Sequence, residues 1–304
     1  MTRQPNIAEL KRLLGINLFL NLEGHALEDT QNQGLVCSFA GLRLSSAFQP
    51  IVRADGKIIG REALLRAVNS EKEPLSSQAA FEHAIEAGKL VAFDRLVRTI
   101  HLFNHANTFD ENELIFLNVH PQLLTSVSNH GQTFERILHY YSVPTSRVVI
   151  EIQESAVKDN ARLESAVGNY RNLGYQIAID KFGSGRGPKE NLLDQDIKPG
   201  QTDTSERTGW LNRVLSLRPE FVKLDRSVIW TAQRSTAATY ALHQLVSLLH
   251  GIGTKVSVQN IETAEQLEIA RSVEADLMQG HYLGQPQFES ETRGKSCRNE
   301  RLAA

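Results

Sequence analysis

Along the chain, Glu62, Asn118, Glu151, Asp180, Lys223 with Asp225, Gln259 and Gln279 each stand at or near the C-terminal end of a short apolar run. Carboxylates and an amide brought together offer hard oxygen donors, which suit Mg2+, Mn2+ or Ca2+ rather than zinc. Taken singly, an acid at a strand end is usually a loop-facing or capping group. A ring of them is different, because the C-terminal strand ends of a parallel barrel form one face, and that face carries the active site. The run YQIAID, residues 175–180, delivers Asp180 and is followed at once by Lys181, a fixed positive charge beside the acid.

The other runs that must position these residues are AFQPIV (47–52), KIIGRE (57–62), LIFLNV (114–119), RVVIEI (147–152), EFVKLD (220–225), TKVSVQ (254–259) and DLMQGHYL (276–283). Each has the length of a strand, and amphipathic segments of helical length lie between most of them: 75–106 in two pieces, 133–141, 160–173, part of 206–217, 235–250 and 263–274. Thr263 to Gln266, ahead of an apolar-periodic run, has the form of a capping box and marks a helix start. The alternation predicts an α/β chain.

Residues 1–46 read as an N-terminal extension, with Leu10, Leu13, Leu14 and Leu18 at helical spacing and the polar stretch EDTQNQG as a loop. The main domain is expected over 47–288, and the polar residues 289–304 form a tail. Between Gly183 and Trp210 lies a polar segment bearing Gly and Pro. It is longer than the roughly 12–15 residues that a structureless loop normally reaches. This insertion, about 186–209, follows the Asp180 strand and is expected to overhang the site.

With 41% hydrophobic and 22% charged residues among 304, and a mean hydropathy of −0.29, the composition is that of a chain that folds in water. A formal net charge of −2 gives no general attraction to nucleic acid or anionic lipid, so neither is expected as a direct partner and any anion site must be local. Two cysteines, Cys37 and Cys297, lie outside any metal-ligand spacing and make no disulfide framework. The apolar run INLFLNL (16–22) is too short to span a bilayer and lacks a cleavage pattern. A cytoplasmic location without membrane insertion is expected.

Taken in order, FQPIV, GREALLR (60–66), LNVHP (117–121), EIQES (151–155), IDKFGSG (179–185), VKLD (222–225), QNIET (259–263) and QGHYLGQP (279–286) resemble the EAL-domain family, which hydrolyses cyclic di-GMP to linear pGpG. The resemblance runs from about residue 47 to residue 286. It implies a modified TIM-type (β/α)8 barrel, carrying here a short N-terminal helical extension, with Mg2+ or Mn2+ as the cofactor and frequent homodimers. It also implies roles. Glu62, Asn118, Glu151 and Asp180 match the holders of one cation, and Asp225 a carboxylate at a second. Arg66 matches an arginine that pairs with a ligand phosphate, and Gln49 and Leu64 are further ligand-binding positions. Lys223 matches a lysine on the attacking water or the phosphate, and Gln279 a glutamine at the catalytic centre. Glu262 is the later glutamate of an AEGVET-like motif and a third catalytic candidate.

Two positions depart from the family pattern. Lys181 stands where the second of two adjacent aspartates binds the second cation, and Gln259 stands where the first glutamate of the AEGVET-like motif belongs. An ammonium about 4 Å from a dication is repelled by roughly 8 kcal/mol at an effective dielectric near 20, unless the side chain swings away. An amide is no base near neutral pH. Two readings follow. One is a degenerate, catalytically silent module that binds cyclic di-GMP, or a protein such as a transcription or motility regulator. The other is an active cyclic di-GMP phosphodiesterase working from the intact first cation site.

Overall fold

The computed structural model describes residues 8, 10–12, 15, 27–126, 131–153, 160–184 and 212–288. Its elements run β1 (Leu27–Thr30), β2 (Gly34–Phe39), β3 (Leu42–Arg53), β4 (Ile58–Val68), β5 (Pro74–Leu75), α1 (Ser77–Glu86), α2 (Leu90–Thr108), β6 (Leu114–Asn118), α3 (Pro121–Ser126) and α4 (Gln132–Tyr140). There follow β7 (Val148–Gln153), α5 (Asn160–Asn172), β8 (Gln176–Phe182), β9 (Phe221–Leu224), α6 (Arg226–Arg234), α7 (Thr236–Gly251), β10 (Lys255–Val258), α8 (Ala264–Ser272) and β11 (Leu277–Met278).

Strands β4, β6, β7, β8, β9, β10 and β11 pair in parallel, and β3 closes the ring by pairing antiparallel with both β4 and β11. The result is a closed eight-stranded barrel with one reversed strand, the modified TIM-type fold expected. The reversal has a local cause: β3 and β4 are joined by the tight turn Ala54–Lys57, in which Arg53 N–H donates to Lys57 O at 3.0 Å and Gly56 takes φ +79°.

The strand period of two sorts side chains into layers. Ile51, Phe116, Val149, Ala178, Phe221 and Leu277 form a buried cluster of their own, contributed by six different strands. Two residues further along the parallel strands, on the same side, come Asn118, Glu151, Asp180, Lys223 and Gln279. On reversed β3 the corresponding step runs backward from Ile51 to Gln49. An apolar floor thus lies one residue pair below a polar layer. The outward side chains, among them Ile115, Leu117, Ile150, Ile177, Val222 and Val256, join the larger core under the helices.

Helix starts follow their capping side chains. Ser76 Oγ accepts from Ala79 N at 3.1 Å ahead of α1. Thr263 Oγ1 accepts from Gln266 N at 3.2 Å as the sequence marks, but the Gln266 amide oxygen reaches one residue past the cap and accepts from Glu262 N at 2.7 Å, so the expected box closes on the residue before Thr263.

The N-terminal part differs from expectation. The polar stretch read as a loop contains β1 and the turn into β2, and β3 begins at Leu42, so a domain boundary at 46/47 falls inside a strand. The reason is tertiary: β2 lies against α2, where Asn104 bonds both the N–H and the C=O of Leu35, at 2.7 and 2.9 Å. The expected insertion at 186–209 and the tail at 289–304 lie outside the described residues. No helix among the described residues is long and apolar enough to cross a membrane.

Candidate functional site

At the centre of the polar layer is Lys223, fully buried on β9. Its ammonium donates to Glu62 Oε2 at 2.8 Å and to Glu151 Oε1, with the Phe116 ring centroid 5.8 Å away. Glu62 stands on β4 opposite Gln49 of β3 and shares its face with Leu64 and Arg66, two and four residues on. Its carboxylate also accepts from Asn118 Nδ2 at 3.2 Å and from Gln279 Nε2 at 2.8 Å. Gln279 Nε2 lies 3.3 Å from Gln49 Oε1, and Gln49 Nε2 donates to Gly284 O at 3.0 Å.

The Gln259 amide, oriented by its partners, accepts from Lys223 Nζ at 3.1 Å and donates to Leu224 O at 3.3 Å. Gln279 is held in place by the chain that follows it: a Cβ on Gly280 would come within 2.1 Å of Ile261 O, so only glycine allows the two backbones this close.

The electrostatics follow from burial around one cation. Desolvation pushes Glu62 up, but the Lys223 charge and three side-chain hydrogen bonds outweigh it and hold this carboxyl below the usual range. Glu151 is pushed well up, by burial first and then by Glu62. Burial also raises Asp180, against the pull of Lys223. Lys223 is driven well above the ordinary lysine value, since Glu151, Glu62 and Asp180 together overcome its desolvation.

Of the sequence-predicted residues, Gln49, Glu62, Asn118, Glu151, Lys223, Gln259 and Gln279 are thus joined in one hydrogen-bonded cluster. Asp180 adjoins it electrostatically and takes the Lys181 backbone N–H. The others lie apart. Asp225 caps α6, its Oδ1 accepting from Ser227 N at 2.9 Å. Glu262 is exposed on the loop after β10. Arg66 is half-buried, with Nη1 donating to Leu65 O at 3.2 Å, and Leu64 is half-buried beside it.

Lys181 is exposed at φ +55°, where the pairing of β8 with β9 shifts register between Ile179 and Phe182. Its charge still lowers Asp180.

The donors fit a divalent cation in one respect: Glu151 Oε2 is buried with no hydrogen-bond partner. Among the described residues no three His, Cys, Asp or Glu side chains already stand in metal-holding geometry. The Lys223 ammonium lies on two of the carboxylates instead.

Comparisons with known proteins place the chain as a whole. The EAL domain matches residues 34–198 and 205–286. The uncharacterized EAL-domain containing protein YkuI of Bacillus subtilis is 27% identical over 246 residues, covering 79% of this chain and 54% of that protein. The probable cyclic di-GMP phosphodiesterase PdeB of Escherichia coli is 23% identical over 236 residues, covering 74% of this chain and 39% of that protein. The chain therefore spans about half the length of the first relative and less of the second.

Among solved structures, YkuI in complex with substrate c-di-GMP and calcium superposes with a TM-score of 0.59 at 26% identity, covering 81% of this chain and 55% of that one. A standalone EAL protein from Vibrio cholerae O395 in its c-di-GMP bound form gives 0.64 at 22%, covering 81% and 93%, a likeness of fold. With the family match extending over most of its length, the chain belongs to the EAL domain family.

Proposed function

We propose that this chain is an EAL module of cyclic di-GMP signalling that binds the dinucleotide and does not turn it over. The observation that carries this reading is the state of the two departing positions. Lys181 brings a positive charge to the strand end beside Asp180, and the Gln259 amide is already satisfied by Lys223 and Leu224 O. A carboxylate at either position would favour a second cation; neither residue present does.

A bound Mg2+ or Mn2+ would supply an activated water and neutralise charge on the phosphodiester. Glu62, Asn118, Glu151 and Asp180 are the residues that would hold one such ion. The chain's own part is to bind and orient. Arg66, two residues beyond Leu64 on the Glu62 face, offers a guanidinium for a ligand phosphate, a planar fork that lysine does not reproduce. Gln279, itself braced by Gln49, fixes the Glu62 carboxylate, and the apolar floor beneath keeps water from its underside.

A second reading, the active phosphodiesterase, is favoured by the Glu151 oxygen that lacks a partner, since that oxygen is available to a first cation. Calorimetric titration with cyclic di-GMP, with and without Mg2+, together with a product assay, separates the two. Binding without product is expected of wild type, and turnover is expected to appear in Lys181→Asp with Gln259→Glu. Robust wild-type hydrolysis selects the phosphodiesterase. Arg66→Ala that binds as tightly as wild type removes the proposed ligand site.

A further inference from the structure

Lys223 carries a positive charge at the place where a divalent cation would meet Glu62 and Glu151, and it does so completely buried. A buried ammonium is retained only if it is paired and its remaining protons are satisfied. Here the third acceptor is Gln259, at 3.1 Å. Its amide does two things at once, accepting from Lys223 and donating to Leu224 O, which an ionised carboxylate at this position cannot do, having no proton to give the carbonyl. Gln259 is therefore fitted to Lys223, beyond being a lost carboxylate.

We infer that Lys223, held by Gln259, is a built-in occupant of the Glu62–Glu151 pair, so that a divalent cation binds this chain only by displacing the ammonium. The lysine stem is flexible enough to withdraw, and Glu151 Oε2, buried without a partner, is the oxygen that the incoming ion gains at once. The EAL reading enters only through the choice of cation. The experiment therefore uses metal alone, and its failure would leave dinucleotide binding untouched.

The test is a titration of Mn2+, in the absence of nucleotide, into wild type, Lys223→Met and Gln259→Leu, with thermal melts in chelator alongside. Lys223→Met is expected to melt below wild type in chelator and to bind Mn2+ about tenfold tighter or more, because three carboxylates then share no internal cation. Gln259→Leu changes no charge, so its expected tightening of roughly threefold reports release of the lysine rather than added attraction. If Lys223→Met folds only when Mn2+ is added, the ion has replaced the ammonium and the inference stands. Failure to fold even with Mn2+, Mn2+ binding by Lys223→Met no tighter than by wild type, or an unchanged affinity in Gln259→Leu each overturns it.

Discussion

Gln49 and Gln279 meet side chain to side chain, 3.3 Å from amide nitrogen to amide oxygen, across a sequence separation of 230 residues. The contact joins the one reversed strand to the end of the last one. Through it the Glu62 carboxylate is tied to the Gly284 backbone by a relay of amides.

Gln279→Leu should remove a charge-assisted donor from Glu62 and cost about 1.5–3 kcal/mol in a urea melt. Gln49→Leu should cost about 0.5–1.5 kcal/mol, the value of neutral bonds. Because both belong to one relay, the double variant should lose less than the sum. Strict additivity would show that the two amides act independently.

Asp225 separates two roles by substitution. As the α6 cap it should lose about 1 kcal/mol on replacement by Ala, while Ser, which caps as well, should leave stability in chelator nearly unchanged. Both variants delete the carboxylate, so a cation role would weaken metal binding in Asp225→Ser and Asp225→Ala alike. Chemical denaturation in chelator and a metal titration read the two effects separately.

Asp225 also shows where the sequence was and was not legible. An Asp ahead of Val228, Ile229 and Ala232 has the form of a helix start, but the helix it caps is only nine residues long, and an acid at a strand end reads equally as a cap or as a ligand until the following segment is seen to turn. The polar layer was readable because strand ends announce themselves in apolar runs. Six of the residues marked that way, Glu62, Asn118, Glu151, Lys223, Gln259 and Gln279, do meet in one cluster, together with Gln49, which only the resemblance marks. What the runs do not carry is which partner each takes. The bond from Gln49 to Gly284 depends on closing the ring, and β1, in the polar stretch LEDT, is a strand only because β2 is there to pair it.

Two buried histidines should make the fold acid-sensitive. Burial holds both His101 and His105 down to about 3, with help from the Arg66 charge at the first and from Arg147 and Arg61 at the second. Above about pH 6.5 folded and unfolded chains are both neutral here, and nothing is lost. Below it the unfolded chain takes up protons that the folded one refuses, so stability falls by about 1.4 kcal/mol per pH unit per histidine. His105→Phe, a ring that suits its aromatic neighbours Phe48 and Phe109, should halve this part of the slope between about pH 6 and 4.5. An unchanged slope in urea midpoints would show that His105 is protonated in the folded state.

At φ +55° Lys181 holds a backbone conformation that β-branched residues resist. Lys181→Val should cost about 1–2 kcal/mol, whereas Lys181→Gly or Lys181→Asn should be neutral or stabilise by up to about 1 kcal/mol. Asp tolerates this region as well, so Lys181→Asp should melt close to wild type. Thermal melts of the four variants rank them directly.

The reversed strand has a consequence for how a growing chain assembles. Seven strands can be laid down each beside an earlier one, but the far half of β3 must wait for its second neighbour, since Val52 and Arg53 pair with Met278 and Leu277. Until some 225 further residues have been synthesised, that stretch presents unpaired backbone groups, the template on which nascent chains stick to one another. The near half is spared this delay, because β2 covers Leu42 to Leu44 as soon as the preceding residues are made. The β1–β2 ribbon, lying outside the ring, thus acts as an early guard on the edge that closes last, and the relay through Gln49 forms only when that edge is sealed.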